Sequence, residues 1–83
     1  MNELPSNVED ELRSYLKNFP EITSVDYEIS EDGNQIAIIV VMAQSIMENF
    51  EIAIPNVERI LNAKFDKILM FKDKHHYLYD FNK

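Results

Sequence analysis

The neighbouring histidines His75 and His76 offer the clearest potential for metal chemistry in this sequence, with Asp73 or Asp80 as a third ligand. Adjacent residues of a strand point to opposite faces, so both imidazoles would reach one ion only from a loop. A structural zinc site needs four ligands, and the chain contains no cysteine. We therefore expect no metal site and no cofactor, with both histidines exposed beside a lysine-rich turn.

Catalytic constellations are hard to find in this sequence. Two carboxylates in different environments can carry acid–base catalysis because their pKa values separate. Asp26 and Glu28 share one face of a predicted strand, but that face is predicted to be exposed to solvent. Nucleophilic catalysis needs a serine or threonine with a histidine base, and Gly33, the single glycine, leaves no glycine-rich nucleophile turn. We expect no catalytic residues and a protein that is not an enzyme.

Charge is distributed unevenly along the 83 residues, which carry 8 basic and 15 acidic side chains and a net charge of −7. The first 58 residues hold twelve of the acids and two of the bases. Nucleic acids and anionic membranes attract clustered lysine and arginine, so neither is an expected partner. An acidic surface steers basic proteins toward it, although the same charge also serves solubility. The candidate partner-binding acids are Glu9, Asp10, Glu11, Asp26, Glu28, Glu31 and Asp32.

Local signals place the elements that carry these residues. Ser6 and Glu9, three residues apart, predict a capping box. Apolar residues at helical spacing predict a helix over residues 7–18. Alternation over residues 23–29 predicts a half-buried strand, and the segment 31–34 (Glu-Asp-Gly-Asn) predicts a hairpin turn after it.

The strand after this turn is apolar on both faces, since every residue from 36 to 43 is apolar. Such a strand is typical of a sheet interior that is covered on both sides. We expect the second cover to be either helices or another copy of the chain. Ile39 and Val41 share the second face and are the candidate residues of a dimer or partner surface.

The middle of the chain fits two interpretations. In the segment 45–54, Ser45 and Glu48 suit a second capping box at the start of a helix, whereas the alternation at its end suits a short strand. We favour the helix. A further helix is predicted over residues 56–65 and capped by Asn56.

Two more segments near the C-terminal end have strand character. Residues 67–71 predict an apolar strand, and the alternating aromatics of residues 75–81 predict a last edge strand or a docked tail. Tyr77 and Tyr79 are candidate partner-binding residues because tyrosine is enriched at interaction hot spots. The alternative is that these rings complete the core of a small domain.

Together these elements predict one α+β domain over residues 1–83. Its antiparallel sheet has three to five strands and is accompanied by two or three helices in the order α-β-β-α-β, ferredoxin-like or related. The helices are expected on one face. The predicted core consists of Leu12, Leu16, Val25, Tyr27, Ile29, Ile38, Val40, Ile60, Leu61 and Leu69.

The element order over residues 8–71 is similar to that of the cytosolic C-terminal domain of cation-diffusion-facilitator transporters. The segments 51–53 (Glu-Ile-Ala) and 57–59 (Val-Glu-Arg) resemble the second helix of that family. Many ferredoxin-like modules share this order, so the resemblance implies a fold and no functional residues. With a strand over residues 49–54, the order instead resembles a double-stranded-RNA-binding domain, whose basic loop and basic helix start this chain lacks.

Two functions of different classes follow as expectations. The first is a small, acidic, non-catalytic protein-binding module that acts on a basic partner, as inhibitors, immunity proteins and antitoxins do. The alternative is a homodimeric ferredoxin-like regulatory or sensor domain that binds a small ligand or metal near His75 and His76. We expect a cytoplasmic protein, because residues 1–10 lack the basic start and apolar stretch of a signal peptide.

Overall fold

A computed structural model describes residues 3–42, 51–71 and 74–83 of the chain. It confirms the α+β class, with the described elements in the order α-β-β-α-β-β and their strands in one antiparallel sheet. The elements are α1 (Ser6–Leu16), β1 (Ile22–Ile29), β2 (Gln35–Met42), α2 (Ala53–Leu61), β3 (Lys64–Phe71) and β4 (Lys74–Asp80).

The strands lie in the order β1-β2-β4-β3, and each neighbouring pair is antiparallel. β2 is an inner strand, as its two apolar faces predict. β4 is also an inner strand, so the prediction of an edge strand or docked tail at the C-terminal end is wrong. Tyr77 of β4 faces Ile38 of β2 on one side and Ile68 of β3 on the other. These pairings on both sides hold β4 inside the sheet.

Both described helices pack against one face of the sheet, which we call the helix face. Val25, Tyr27 and Ile29 of β1 are half-buried at the border of the core. Every predicted core residue except Leu69 lies in this core or packs against it. The largest of the fully buried side chains are those of Leu12, Leu16, Ile36, Ile38, Val40, Val57, Tyr77 and Tyr79, each at most 1% exposed.

α1 begins at Ser6 without a side-chain cap, so the predicted capping box does not form. The carboxylate of Glu9 has other partners. It accepts hydrogen bonds from the Arg13 guanidinium at 3.1 Å and from the Tyr27 hydroxyl at 3.2 Å. These bonds hold the first turns of α1 against β1.

Two further hydrogen bonds reach β1, and one of them occupies a backbone carbonyl of its outer edge. Arg13 donates a hydrogen bond of 2.8 Å to the carbonyl oxygen of Val25, and the amide of Leu4 donates one of 3.1 Å to the Tyr27 hydroxyl. Unpaired backbone groups on an edge strand invite pairing with other chains, so covering one of them blunts that edge.

A tight turn joins β1 to β2. Gly33 has a φ of 75°, a conformation that glycine adopts without steric cost. The carboxylate of Asp32 accepts hydrogen bonds from the Ser30 hydroxyl at 2.7 Å and from the Asn34 amide at 2.9 Å. These bonds, first the one from Ser30, lower the pKa of Asp32 from its usual 3.8. Asp32 therefore stabilises the predicted hairpin turn.

α2 begins at Ala53, so the predicted start and cap of this helix at Asn56 are wrong. Asn56 instead donates its side-chain amide to the Tyr15 hydroxyl at 2.9 Å and thereby bridges the two helices. Pro55 lies in the first turn, where a missing amide costs no intrahelical hydrogen bond. Because Ala53 and Ile54 are helical, the strand alternative is wrong for these two residues.

A register shift between Phe65 and Lys67 decides which side chains of β3 face the helices. Phe65 lies opposite Tyr79, and Ile68 lies opposite Tyr77, so both point to the helix face although they are three residues apart. Strict alternation would place Leu69 on the face of Phe65. The register shift is a β-bulge, which adds one residue to β3 and so turns the following side chains to the opposite faces. Leu69 therefore lies on the other face, where it is 48% exposed, and its prediction as a core residue is wrong.

Some predictions lie outside the described residues. They include the second capping box of Ser45 and Glu48, residues 45–50 of the ambiguous segment, and Asp73 as a metal ligand.

Candidate functional site on the open sheet face

The sheet face opposite the helices, which we call the open face, is the strongest candidate for a functional surface. The two described helices pack on the helix face and leave this one uncovered by helix. Ile39 and Val41, the predicted interface residues, lie here because their neighbours Ile38 and Val40 are buried on the helix face. The apolar residues of the open face are Ala37, Ile39, Val41, Leu69, Phe71 and Leu78.

Exposure of large apolar side chains marks the β3 half of the open face. Leu69 is 48% exposed and Phe71 is 60% exposed. The Phe71 ring meets the His76 ring edge-on, with 6.3 Å between their centroids. Ile39 and Val41 are half-buried beside this group. Contiguous exposed apolar groups of this kind are typical of protein interaction sites.

Opposite charges border this apolar centre. One row of the sheet register runs from Glu28 on β1 through Ala37 and Leu78 to Lys67 on β3. We call it the charged row, since an acid stands at one end and a base at the other. Glu28 and Lys67 are both exposed.

The next row along the strands is mostly apolar. It runs from Asp26 on β1 through Ile39 and His76 to Leu69 on β3. Asp26 is exposed, as the alternation of β1 predicts, and its carboxylate accepts a hydrogen bond of 2.8 Å from the amide of Tyr27. The charged side chains of β1 on the open face, Asp26 and Glu28, are therefore both acidic.

A shallow depression of about 320 Å³ lies at the turn end of the open face. The acidic residues Glu28 and Glu31 and the apolar residues Ala37 and Leu78 are among those that line it. It continues the charged row toward the hairpin turn, so Glu31 borders the same surface as Glu28.

The acids of α1 do not join this surface. Glu9 is held by Arg13 and Tyr27, and Glu11 lies 3.5 Å from Arg59 of α2 in an exposed ion pair. Asp10 is exposed on the helix layer. The candidate acids are thus divided between the helix layer, the hairpin turn and the open face, and do not form one patch.

The two candidate tyrosines of β4 are core residues. Tyr77 and Tyr79 are fully buried on the helix face, which matches the alternative that their rings complete the core. Burial, together with the charge of Glu51, raises the pKa of Tyr77 to about 12. Burial, together with Glu58, also raises the pKa of Tyr79. Neither ring is available to a partner at the surface.

The histidines differ from the prediction in exposure but not in direction. His75 is 4% exposed on the helix face, where its ring stacks on Tyr77, so the expectation of an exposed side chain is wrong for it. His76 points to the open face and is half-buried. The two imidazoles therefore face opposite sides of the sheet. Within residues 3–42, 51–71 and 74–83, no three His, Cys, Asp or Glu side chains are grouped as metal ligands.

Several residues of the open face were not identified from the sequence. Lys67 and Leu69 join Ile39 there because the bulge at residues 65–67 reverses the alternation of β3, whereas Leu78 lies there by the alternation of β4. A bulge depends on pairing with the neighbouring strand, which has no local signature in this segment. The alternation along residues 76–79 was the one available signal for this face. It correctly places His76 and Leu78 on the face opposite Tyr77 and Tyr79.

None of the helices in the described part of the chain is long and apolar enough to cross a membrane. Comparison of the chain with protein-family models, with curated proteins and with solved structures found no match.

Proposed function

We propose that this chain is a non-catalytic protein-binding module whose binding surface is the open face. The observation that carries the proposal is that exposed Leu69 and half-buried Ile39 lie in one row of the open face, on either side of His76. The carboxylates of Asp26 and Glu28 stand at the β1 border of the same face. Burial of an apolar centre is the main favourable contribution to protein association. A charged border favours one partner and orientation over others.

The partner surface that fits this arrangement is basic where it meets β1. Asp26 and Glu28 stand two residues apart on an exposed strand, and neither forms an ion pair within the described residues. Their charge is therefore available to a partner. Small acidic inhibitors, immunity proteins and antitoxins use surfaces of this chemistry, and the proposal assigns the chain to that functional class.

The experiment is a pull-down with the tagged chain from cells that express it, eluted across a salt gradient and identified by mass spectrometry. The test variant is Asp26→Lys with Glu28→Lys. The control is Glu3→Lys with Glu51→Lys, which changes the net charge equally at two exposed positions outside the open face. Melting curves of both variants verify that they fold.

We expect a protein that the wild type and the control retain and that the Asp26/Glu28 variant loses or releases at lower salt. Such a difference supports binding at the open face, whatever the identity of the retained protein. Equal retention by all three chains contradicts the proposal. Absence of any specifically retained protein also contradicts it.

A further inference from the structure

We infer that the occupant of the open face is a second copy of this chain, related to the first by a two-fold axis parallel to the strands. The inference rests on the proposed binding function and names the partner. It is carried by the charged row, in which Glu28 and Lys67 stand at opposite ends of the same line of paired residues.

A two-fold axis that runs along the strands, between β2 and β4, reverses the strand order in the partner copy. β1 of one copy then lies over β3 of the other. Such a rotation keeps each residue at its level along the strands. Glu28 therefore faces Lys67 of the partner subunit, and Lys67 faces Glu28 of the partner subunit, which gives two symmetric ion pairs. Ala37 and Leu78 meet in the same way between these two ion pairs.

The centre of the neighbouring row, which runs from Asp26 to Leu69, is apolar in both copies under the same rotation. Ile39 comes over His76 of the partner subunit, which meets Phe71 edge-on within its own copy. Leu69, 48% exposed in one chain, comes under the β1 edge of the other near Asp26. Aligned sheets pack roughly 10 Å apart at about 30°. Extended glutamate and lysine side chains together span that gap.

The other in-plane axis is unfavourable. An axis perpendicular to the strands lays each strand over its own copy, so β1 meets β1 and β3 meets β3. Glu28 and Asp26 would then face carboxylates, and Lys67 would face lysine. Like charges placed opposite each other across an interface disfavour association. Charge alone therefore selects the axis parallel to the strands.

The size of the face predicts a modest affinity. Four strands about 4.8 Å apart and about six residues long present a face of roughly 20 Å by 20 Å. Two such faces bury about 800 Å², somewhat less than the roughly 1,000 Å² at which stable specific interfaces begin, as is typical of a weak, transient dimer. The dimer is thus expected to dissociate on dilution in the micromolar range.

Sedimentation of the purified chain over a range of concentrations measures this dimer directly. We expect the wild type to be monomeric at low concentration and dimeric at high concentration. Glu28→Lys places lysines opposite lysines at two symmetric contacts and should raise the dissociation constant at least about tenfold, and Lys67→Glu should do the same. The double variant Glu28→Lys with Lys67→Glu restores opposite charges and should return the constant to near the wild-type value.

The matched control combines Glu28→Lys with Lys17→Glu, which restores the same net charge at an exposed position just after α1. If the wild-type dissociation constant returns only in the double variant Glu28→Lys with Lys67→Glu, these two residues contact each other across the interface. Equal recovery in both double variants indicates an effect of net charge and overturns the pairing. An unchanged dissociation constant in either single variant overturns the axis. Since Glu28 and Lys67 are exposed, both variants are expected to fold.

Failure of this inference is distinguishable from failure of the proposed function. A wild type that stays monomeric at high micromolar concentration overturns the second copy as occupant. If the pull-down then retains a different protein that depends on Asp26 and Glu28, protein binding at the open face stands. If neither measurement detects association, both proposals fall.

Discussion

Removal of one hydroxyl group tests the assignment of Tyr79 to a dry core. Among the described residues, the hydroxyl of Tyr79 is buried and has no hydrogen-bond partner. Its ring is held by an edge-on contact with Phe65, 5.6 Å between centroids, which phenylalanine would keep. The matched change is Tyr27→Phe, because the Tyr27 hydroxyl makes two hydrogen bonds: it accepts one from the Leu4 amide and donates one to the Glu9 carboxylate. We expect opposite effects on stability.

The magnitudes follow from these contacts. A buried hydroxyl without a partner costs about 1–3 kcal/mol, so Tyr79→Phe should be neutral or stabilise the fold by up to about 2 kcal/mol. Each hydrogen bond of Tyr27 contributes about 0.5–1.5 kcal/mol, so Tyr27→Phe should lower the free energy of unfolding by about 1–2 kcal/mol. For a domain of this size, 1 kcal/mol corresponds to a shift of about 4–8 °C in Tm.

Urea unfolding and thermal melts, both followed by circular dichroism, measure the two changes. Each is repeated at two protein concentrations, so that self-association is separated from the stability of the single chain. A loss of more than about 1 kcal/mol in Tyr79→Phe would refute the reasoning, because it would mean that the hydroxyl makes a favourable hydrogen bond. Equal effects at Tyr79 and Tyr27 would refute it as well.

Two further predictions concern the same core. Burial raises the pKa of Tyr77 to about 12, above the ordinary value of 10.0, so the unfolded chain binds fewer protons than the folded one above pH 10. The free energy of unfolding should therefore be insensitive to this group below pH 10 and fall between about pH 10 and 12; a flat profile of urea midpoints there would contradict the burial of the ring. Ile38→Ala should cost about 2–5 kcal/mol as a core deletion, whereas Leu69→Ala should cost less than about 1 kcal/mol in the monomer because Leu69 is 48% exposed. Similar losses in urea unfolding would show that β3 has the other register.

Local sequence was sufficient where a few neighbouring residues decide the conformation. The Asp32-Gly33 pair predicts the hairpin turn because glycine tolerates its φ of 75° and the carboxylate binds nearby donors. The helical spacing of Leu12 and Leu16 predicts α1 and its buried stripe. Helix starts were less predictable. Glu9 bonds to Tyr27 in place of a cap, since a distant partner competes for the same carboxylate.

Pairing between distant segments decided the rest. The sequence by itself determined that Ile39 and Val41 give β2 a second apolar face. It also determined that two histidines adjacent on a strand point to opposite faces. Only the tertiary structure placed β4 inside the sheet and introduced the bulge that turns Leu69 and Lys67 toward the open face. The physical reason is that alternation specifies two faces of a strand, whereas its neighbours and register fix which face meets the helices.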